Sequence, residues 1–138
     1  MPIAADLLRS VPLFTGMTDS AIESVGGLAH EVHFASGQEL VRQGDEGDSF
    51  LVIVEGRATV SQNGETLRGL GPGDYLGEIA LIDGGPRTAT VTAIEAVRAL
   101  VVDRSEFKRL IDDFSAVRFH VLTALTQRIR REAPSPVD

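Results

Sequence analysis

The feature that most constrains the fold is a series of short strand-like segments between residues 30 and 103, each followed by a turn signal. The segments are rich in Val, Ile, Leu and Thr, and glycine-containing turns such as Ser36-Gly37 and Glu55-Gly56 separate them. This pattern favours an antiparallel sandwich or roll. Asn63-Gly64 predicts a two-residue hairpin, because both residue types accept the positive φ that such a turn needs. The predicted strands are 30–35, 39–43, 50–54, 57–62, 65–70, 87–94 and 97–103.

Segments with apolar residues at helical spacing lie on both sides of this strand-rich region. Residues 3–10 predict a short helix, and a second helix is predicted to open at Thr18 or Asp19, either of which can cap it. Two more helices are predicted after the last strand, with Asp103 or Ser105 as the first N-cap. Their apolar positions are Phe107, Leu110, Ile111 and Phe114 in the first, and Val117, Val121, Leu122, Leu125 and Ile129 in the second.

Length, charge and composition narrow the class of protein. The 138 residues predict one domain over residues 1–132, and two prolines in the last residues predict a disordered tail over 133–138. The net charge of −7 disfavours nucleic acid and anionic membranes as partners. The chain has no cysteine, which excludes disulfides and thiolate chemistry. No long apolar run or signal-peptide pattern is present, so a cytoplasmic location is expected.

The segment from residue 77 to residue 91 carries the chemistry. Gly77 allows backbone to approach a ligand closely, and the short apolar piece after it is long enough for about one helical turn, whose N–H groups can bind an anion. Arg87 follows a Gly-Gly-Pro turn that can fold its guanidinium back to the same anion, and Thr88 adds a hydroxyl. Glu78 needs a different partner, for which a sugar hydroxyl is the natural donor.

These residues resemble a known motif. Gly77-Glu78-Ile79-Ala80-Leu81 followed by Pro86-Arg87-Thr88-Ala89-Thr90 is similar to the phosphate-binding cassette of the cyclic nucleotide-binding domain family. The glycine turns at 41–45 with 48–50 and at 53–56, and the approach at 71–78, also resemble that family, so the likeness covers roughly residues 5 to 130. It implies an α+β fold: an eight-stranded antiparallel β-roll with N-terminal helices and two C-terminal helices, a hinge and a lid.

The resemblance also implies roles for individual residues. Arg87 is expected to pair with the phosphate oxygens, and Glu78 to accept a hydrogen bond from the ribose 2′-hydroxyl. Gly77 is expected to allow close approach to the sugar. Thr88 is expected between phosphate and base, as in cGMP-selective members, where this hydroxyl can reach the guanine amino group. The expected ligand-binding residues are Gly77, Glu78, Arg87 and Thr88, with the backbone N–H groups of Ile79, Ala80 and Ala89.

The sequence therefore predicts a regulatory sensor of cAMP or cGMP rather than an enzyme, without metal or cofactor, acting on an effector protein or through self-association. An alternative left open is a ligand-independent docking or dimerisation module that uses the apolar stripe over residues 117–129. Two metal hypotheses fail on spacing. The acidic residues at 45–48 lack the remaining calcium ligands, and His30 and His33 lack the further strand ligands of a metal-binding roll.

Overall fold

The computed structural model of the chain describes residues 8–9, 11, 14–77 and 85–132. Three helices and eight strands are described in these ranges, and they confirm the expected α+β β-roll. The helices are α1 (Asp19–Leu28), α2 (Arg104–Asp113) and α3 (Ser115–Glu132). The strands are β1 (His30–Phe34), β2 (Glu39–Val41), β3 (Ser49–Glu55), β4 (Ala58–Gln62), β5 (Glu65–Leu70), β6 (Tyr75–Leu76), β7 (Thr90–Ala93) and β8 (Val97–Asp103).

The strands form two four-stranded antiparallel sheets, ordered β1-β8-β3-β6 and β2-β7-β4-β5. Alternating residues of each strand point inward, so Leu51 and Ile53 of one sheet pack with Val60 and Val91 of the other. A second core lies between the first sheet and the helices. There Phe50, 1% exposed, has its ring centroid 4.8 Å from Phe107 of α2.

The predicted hairpin at Asn63-Gly64 is confirmed, and the structure adds a β-bulge that the sequence pattern did not predict. Asn63 and Gly64 have φ values of 53° and 82°, and they join β4 to β5. The register then shifts: Ser61 pairs with Thr66, but Val60 pairs with Arg68. Residue 67 is therefore an extra residue in β5, a β-bulge of the kind that re-aims neighbouring side chains.

Two strand predictions differ from the structure. The predicted strand 87–94 begins only at Thr90, because the Arg87 backbone bonds to a loop instead: Arg87 N–H donates to Asp45 O at 2.8 Å, and Gly44 N–H donates to Arg87 O at 2.9 Å. β6 was not among the strands predicted from composition, since two residues are too short to show a period.

The helix starts follow the predicted caps. The Thr18 hydroxyl accepts a hydrogen bond from Ala21 N–H, and the Asp103 carboxylate accepts one from Glu106 N–H at 3.0 Å. Of the helix predicted over 3–10, Leu8 and Arg9 are helical, and all the remaining positions lie outside the described residues, as does the tail at 133–138.

The apolar stripe of α3 is only partly buried. Val117 and Val121 are buried in the core, whereas Leu122 is 57% exposed. The side chains of the other two predicted stripe positions lie outside the description. Within the described ranges, none of the helices combines the length and apolar character that crossing a bilayer requires.

The cap at Asp103 makes a pH-dependent contribution to stability. Its hydrogen bond from the backbone of Glu106 lowers the pKa of the Asp103 carboxyl. A folded-state pKa below the unfolded one stabilises the protein above about pH 4 and loses that effect as pH falls through the lowered value. We expect the wild type to exceed Asp103→Asn in free energy of unfolding by an amount that shrinks between pH 6 and pH 2. Urea titrations at several pH values measure this difference, with Asp112→Asn as the control for loss of one charge on α2. A difference that does not change with pH would contradict the prediction.

Candidate functional site

A pocket opens between the second sheet and the segments that precede β7. It holds about 480 Å³ of empty space, which includes open solvent at its mouth. Most of its lining residues are apolar, and Arg68, Arg87 and Thr88 add polar groups. The lining residues are Val41, Val60, Arg68, Leu70, Tyr75, Leu76, Gly77, Arg87, Thr88, Ala89 and Val91.

Two arginines, Arg68 and Arg87, belong to this lining, and the guanidinium of Arg87 is buried. Its side chain is 6% exposed, and Nη2 donates to the Ser49 carbonyl oxygen at 2.9 Å and to the Ser49 hydroxyl at 3.2 Å. The Asp48 carboxylate lies 4.0 Å from the same nitrogen, but it is 85% exposed, so solvent screens the pair. The neutral oxygens of Ser49 fix the orientation of this cation beside the pocket. Such a group is suited to bind an anion.

Gly77 is required at its position because both its backbone and its surroundings exclude a side chain. Its φ is +96°, and a Cβ atom there would lie 2.5 Å from Arg87 Nη1 and 2.6 Å from Ser49 O. Glycine therefore leaves the space in which the guanidinium meets the start of β3.

The backbone just before β3 is also hydrogen-bonded to the first residue of α2. Arg104 N–H donates to Asp48 O at 3.0 Å, one residue from the Ser49 carbonyl that accepts from Arg87. A second connection runs through aromatic rings: Tyr75 lines the pocket, its ring centroid is 5.5 Å from that of Phe50, and Phe50 in turn contacts Phe107 of α2. The first residues of β3 therefore contact both α2 and two residues of the pocket lining, Arg87 and Tyr75.

Four of the seven expected site residues fall on this pocket, namely Gly77, Arg87, Thr88 and Ala89. The other three, Glu78, Ile79 and Ala80, lie outside the described residues. Sequence reasoning did not find Ser49, whose carbonyl comes from a distant strand, or Arg68, which occurs in a strand without any local motif. The alternation of β4 and β7 was the one available signal for the apolar lining at Val60 and Val91.

The two histidines of the rejected metal hypothesis lie away from this pocket. His30 Nε2 is 3.7 Å from Glu106 Oε1, and His33 Nε2 is 3.9 Å from Glu31 Oε2, each on an exposed histidine of β1. In the part of the chain that the structure describes, no group of three or more His, Asp or Glu side chains is placed to hold a metal ion.

Replacing Gly77 tests how tightly the site is built. We expect Gly77→Ala to lower the free energy of unfolding by more than the roughly 1–2 kcal/mol of a left-handed residue, because Ser49 O must also move. Gly37→Ala is the matched control: φ is +90° there, but nothing lies within 4 Å of the added carbon. Urea unfolding of both variants measures the difference, and equal losses would show that the close contact costs nothing.

Comparisons with known proteins agree with this geometry. Residues 31–114, more than half of the chain, match the family model described as the cyclic nucleotide-binding domain. The chain is 37% identical over 123 residues to isozyme 1 of the cGMP-dependent protein kinase of Drosophila melanogaster, a match that covers 83% of this chain and 16% of that protein. It is also 37% identical over 123 residues to the cAMP-dependent protein kinase regulatory subunit of Dictyostelium discoideum, covering 82% of this chain and 37% of that protein.

Solved structures show the same relationship. The regulatory domain of Toxoplasma gondii PKA, crystallised with cAMP, superposes with a TM-score of 0.79 at 30% identity over 88% of this chain and 48% of that one. The chain spans less than half the length of each of these three relatives. Sequence match, fold and pocket together lead to one assignment: the chain belongs to the cyclic nucleotide-binding domain family.

Proposed function

We propose that this chain is a regulatory sensor domain that binds a cyclic nucleotide through Arg87. The observation that carries the proposal is a buried guanidinium in the lining of an open pocket whose other lining residues are mostly apolar. A cyclic nucleotide matches both properties, because its cyclic phosphate carries one negative charge and its base presents a large flat surface to apolar walls. The proposal extends to a single domain over residues 1–132.

The remaining site residues take the roles that the family motif gives them. Glu78 accepts a hydrogen bond from the ribose 2′-hydroxyl, and Gly77 lets the sugar approach the backbone. The backbone N–H groups of Ile79, Ala80 and Ala89 complete the phosphate site. Support for this arrangement comes from Gly77 and Ala89, which line the same pocket as Arg87.

Arg68 and Thr88 favour guanine as the base. Both residues line the pocket, Arg68 from β5 and Thr88 from beside the phosphate-binding arginine. Guanine offers two acceptors, O6 and N7, that match the fork of an arginine, whereas adenine places an amino donor next to N7. The Thr88 hydroxyl can accept from the guanine amino group. We therefore propose a preference for cGMP over cAMP.

The proposed output is a shift of α2 and α3, with no catalysis of its own. Binding at Arg87 alters the start of β3, and α2 is bonded to that segment through Arg104 and packed on it through Phe107. A ligand moves this equilibrium only as far as its affinities for the two states differ. Phe119 and Leu122 on α3, 67% and 57% exposed, offer a surface for an effector or a second copy. Because cyclic nucleotides are intracellular messengers, the proposed location is the cytoplasm.

Removing the phosphate-binding cation is the direct test. We expect the wild type to bind about one cAMP or cGMP per chain in isothermal titration, and Arg87→Ala to lose roughly 2–5 kcal/mol of binding free energy, as for a buried charge pair that loses one member. Arg98→Ala is the matched control. Arg98 lies in β8 and forms ion pairs with Glu31 and Glu55, and it does not belong to the pocket lining.

Equal affinity of Arg87→Ala and wild type would refute the role of Arg87. If the folded wild type, shown free of carried-over nucleotide, gives no heat with either ligand, the sensor function itself fails. The docking module then becomes the better account, and the exposed face of α3 the surface to test.

Base preference has its own experiment. We expect Arg68→Ala to weaken cGMP binding by about 1–3 kcal/mol, the value of one good arginine–guanine pair, and cAMP binding by clearly less. Competition titrations with both nucleotides measure the ratio of the two dissociation constants, with Arg98→Ala again controlling for loss of one positive charge. A wild-type preference for cAMP, or equal losses for both nucleotides, would contradict the guanine assignment.

A further inference from the structure

The pocket has two walls that come from different parts of the chain. The hairpin wall consists of Val60, Arg68 and Leu70 on β4 and β5, and the cassette wall consists of residues 87–89. The β4–β7 ladder joins the walls only as far as the pair Ser61–Thr90. Beyond that pair, toward the hairpin tip, side chains rather than backbone groups form the hydrogen bonds between the two walls.

Three amide side chains make the connection there. Gln62 Nε2 donates to the Thr88 carbonyl oxygen at 3.0 Å, which ties the end of β4 directly to the cassette wall. Gln43 bonds the hairpin tip through both ends of its amide: Nε2 donates to Asn63 Oδ1 at 3.0 Å, and Oε1 accepts from Asn63 N–H at 2.9 Å. We refer to Gln43, Gln62 and Asn63 as the amide clamp.

The clamp also reaches the backbone of the phosphate-binding arginine. Gln43 N–H donates to the Thr90 hydroxyl at 2.9 Å, and Gly44 N–H, the next along the chain, donates to the Arg87 carbonyl oxygen at 2.9 Å. Residues 43–44 are therefore hydrogen-bonded both to the hairpin tip and to the Arg87 backbone. Hairpin wall and cassette wall are connected at two points: by Gln62, which bonds Thr88, and by the 43–44 segment, which bonds Asn63, Thr90 and Arg87.

We propose that the amide clamp sets the spacing between the two walls and so makes Gln62 and Gln43 positioning residues for nucleotide recognition. The inference rests on the proposed function, since it concerns a ligand whose phosphate meets one wall and whose base meets the other. Neither glutamine lines the pocket, so they act through Thr88 and Asn63. Their effect is greatest on ligands that touch both walls.

The test compares a two-wall ligand with a one-wall ligand. cGMP is the first, and methyl ribofuranoside 3′,5′-cyclic phosphate, which lacks a base, is the second. We expect Gln62→Ala to weaken cGMP about 3- to 10-fold, the value of one hydrogen bond, while binding of the baseless ligand changes less than 2-fold. Gln62→Glu keeps the shape but loses the donor, so it should weaken cGMP at least as much.

Controls separate the clamp from general loosening of the protein. Gln38→Ala removes another exposed glutamine that bonds backbone in a turn, since its Oε1 accepts from Ala35 N–H at 3.0 Å away from the pocket. It should leave both affinities unchanged. In the double variant Gln43→Ala/Gln62→Ala the losses should be less than additive, because each substitution releases the same contact between the walls.

The outcomes distinguish this inference from the function on which it rests. Wild-type cGMP binding with unchanged affinity in Gln62→Ala and Gln62→Glu would overturn the clamp and leave the sensor function intact. Equal losses for cGMP and the baseless ligand would also overturn it, because they would indicate a general effect on the phosphate site. Absence of binding by the wild type would refute both proposals.

Discussion

A buried guanidinium organises this molecule. Arg87 is 6% exposed, and charged groups are rarely so buried unless other groups satisfy them. Here the Ser49 carbonyl and hydroxyl oxygens accept from one nitrogen, Gly77 leaves room for the other, and the 44–45 loop holds the Arg87 backbone on both sides. Each partner comes from a different place in the sequence. The two sheets must therefore be assembled before this cation has its surroundings.

The beginning of β3 connects the surroundings of Arg87 to α2. Ser49, its first residue, accepts two hydrogen bonds from the Arg87 side chain, and Asp48, just before it, accepts one from the backbone of Arg104 at the start of α2. Directly after them, Phe50 contacts both Tyr75 at the pocket and Phe107 on α2. Polar and apolar contacts thus run from the same short segment in both directions. Packed aromatic rings of this kind transmit displacement well, because a close-packed interior has little free volume to absorb it.

Local chemistry explains which parts of the structure the sequence could predict. The Asn63-Gly64 hairpin and the caps at Thr18 and Asp103 depend on a few neighbouring residues, and all three occur as expected. The cassette was recognisable because its residue types follow one another at short spacing. Gly77 and Arg87 of this cassette line the pocket, and their part in ligand binding stays a prediction.

The parts that the sequence did not predict depend on contacts between distant segments. Ser49 becomes a partner of Arg87 across 38 positions, and no local pattern marks it. Arg68 lies on the pocket beside the bulge at residue 67, which a strict two-residue period does not contain. The strand expected from residue 87 starts later because a loop more than 40 residues earlier captures the Arg87 backbone. In each case tertiary bonding overrides the local preference.

The burial of Arg87 also bears on how such a domain can change over time. Taking this cation out of water costs free energy when the chain folds, before any anion arrives. A well-packed apolar side chain at residue 87 would avoid that cost and stabilise the same β-roll. Selection for stability alone therefore acts against the residue that we propose binds the ligand. A lineage released from its messenger would keep the fold and lose the arginine first.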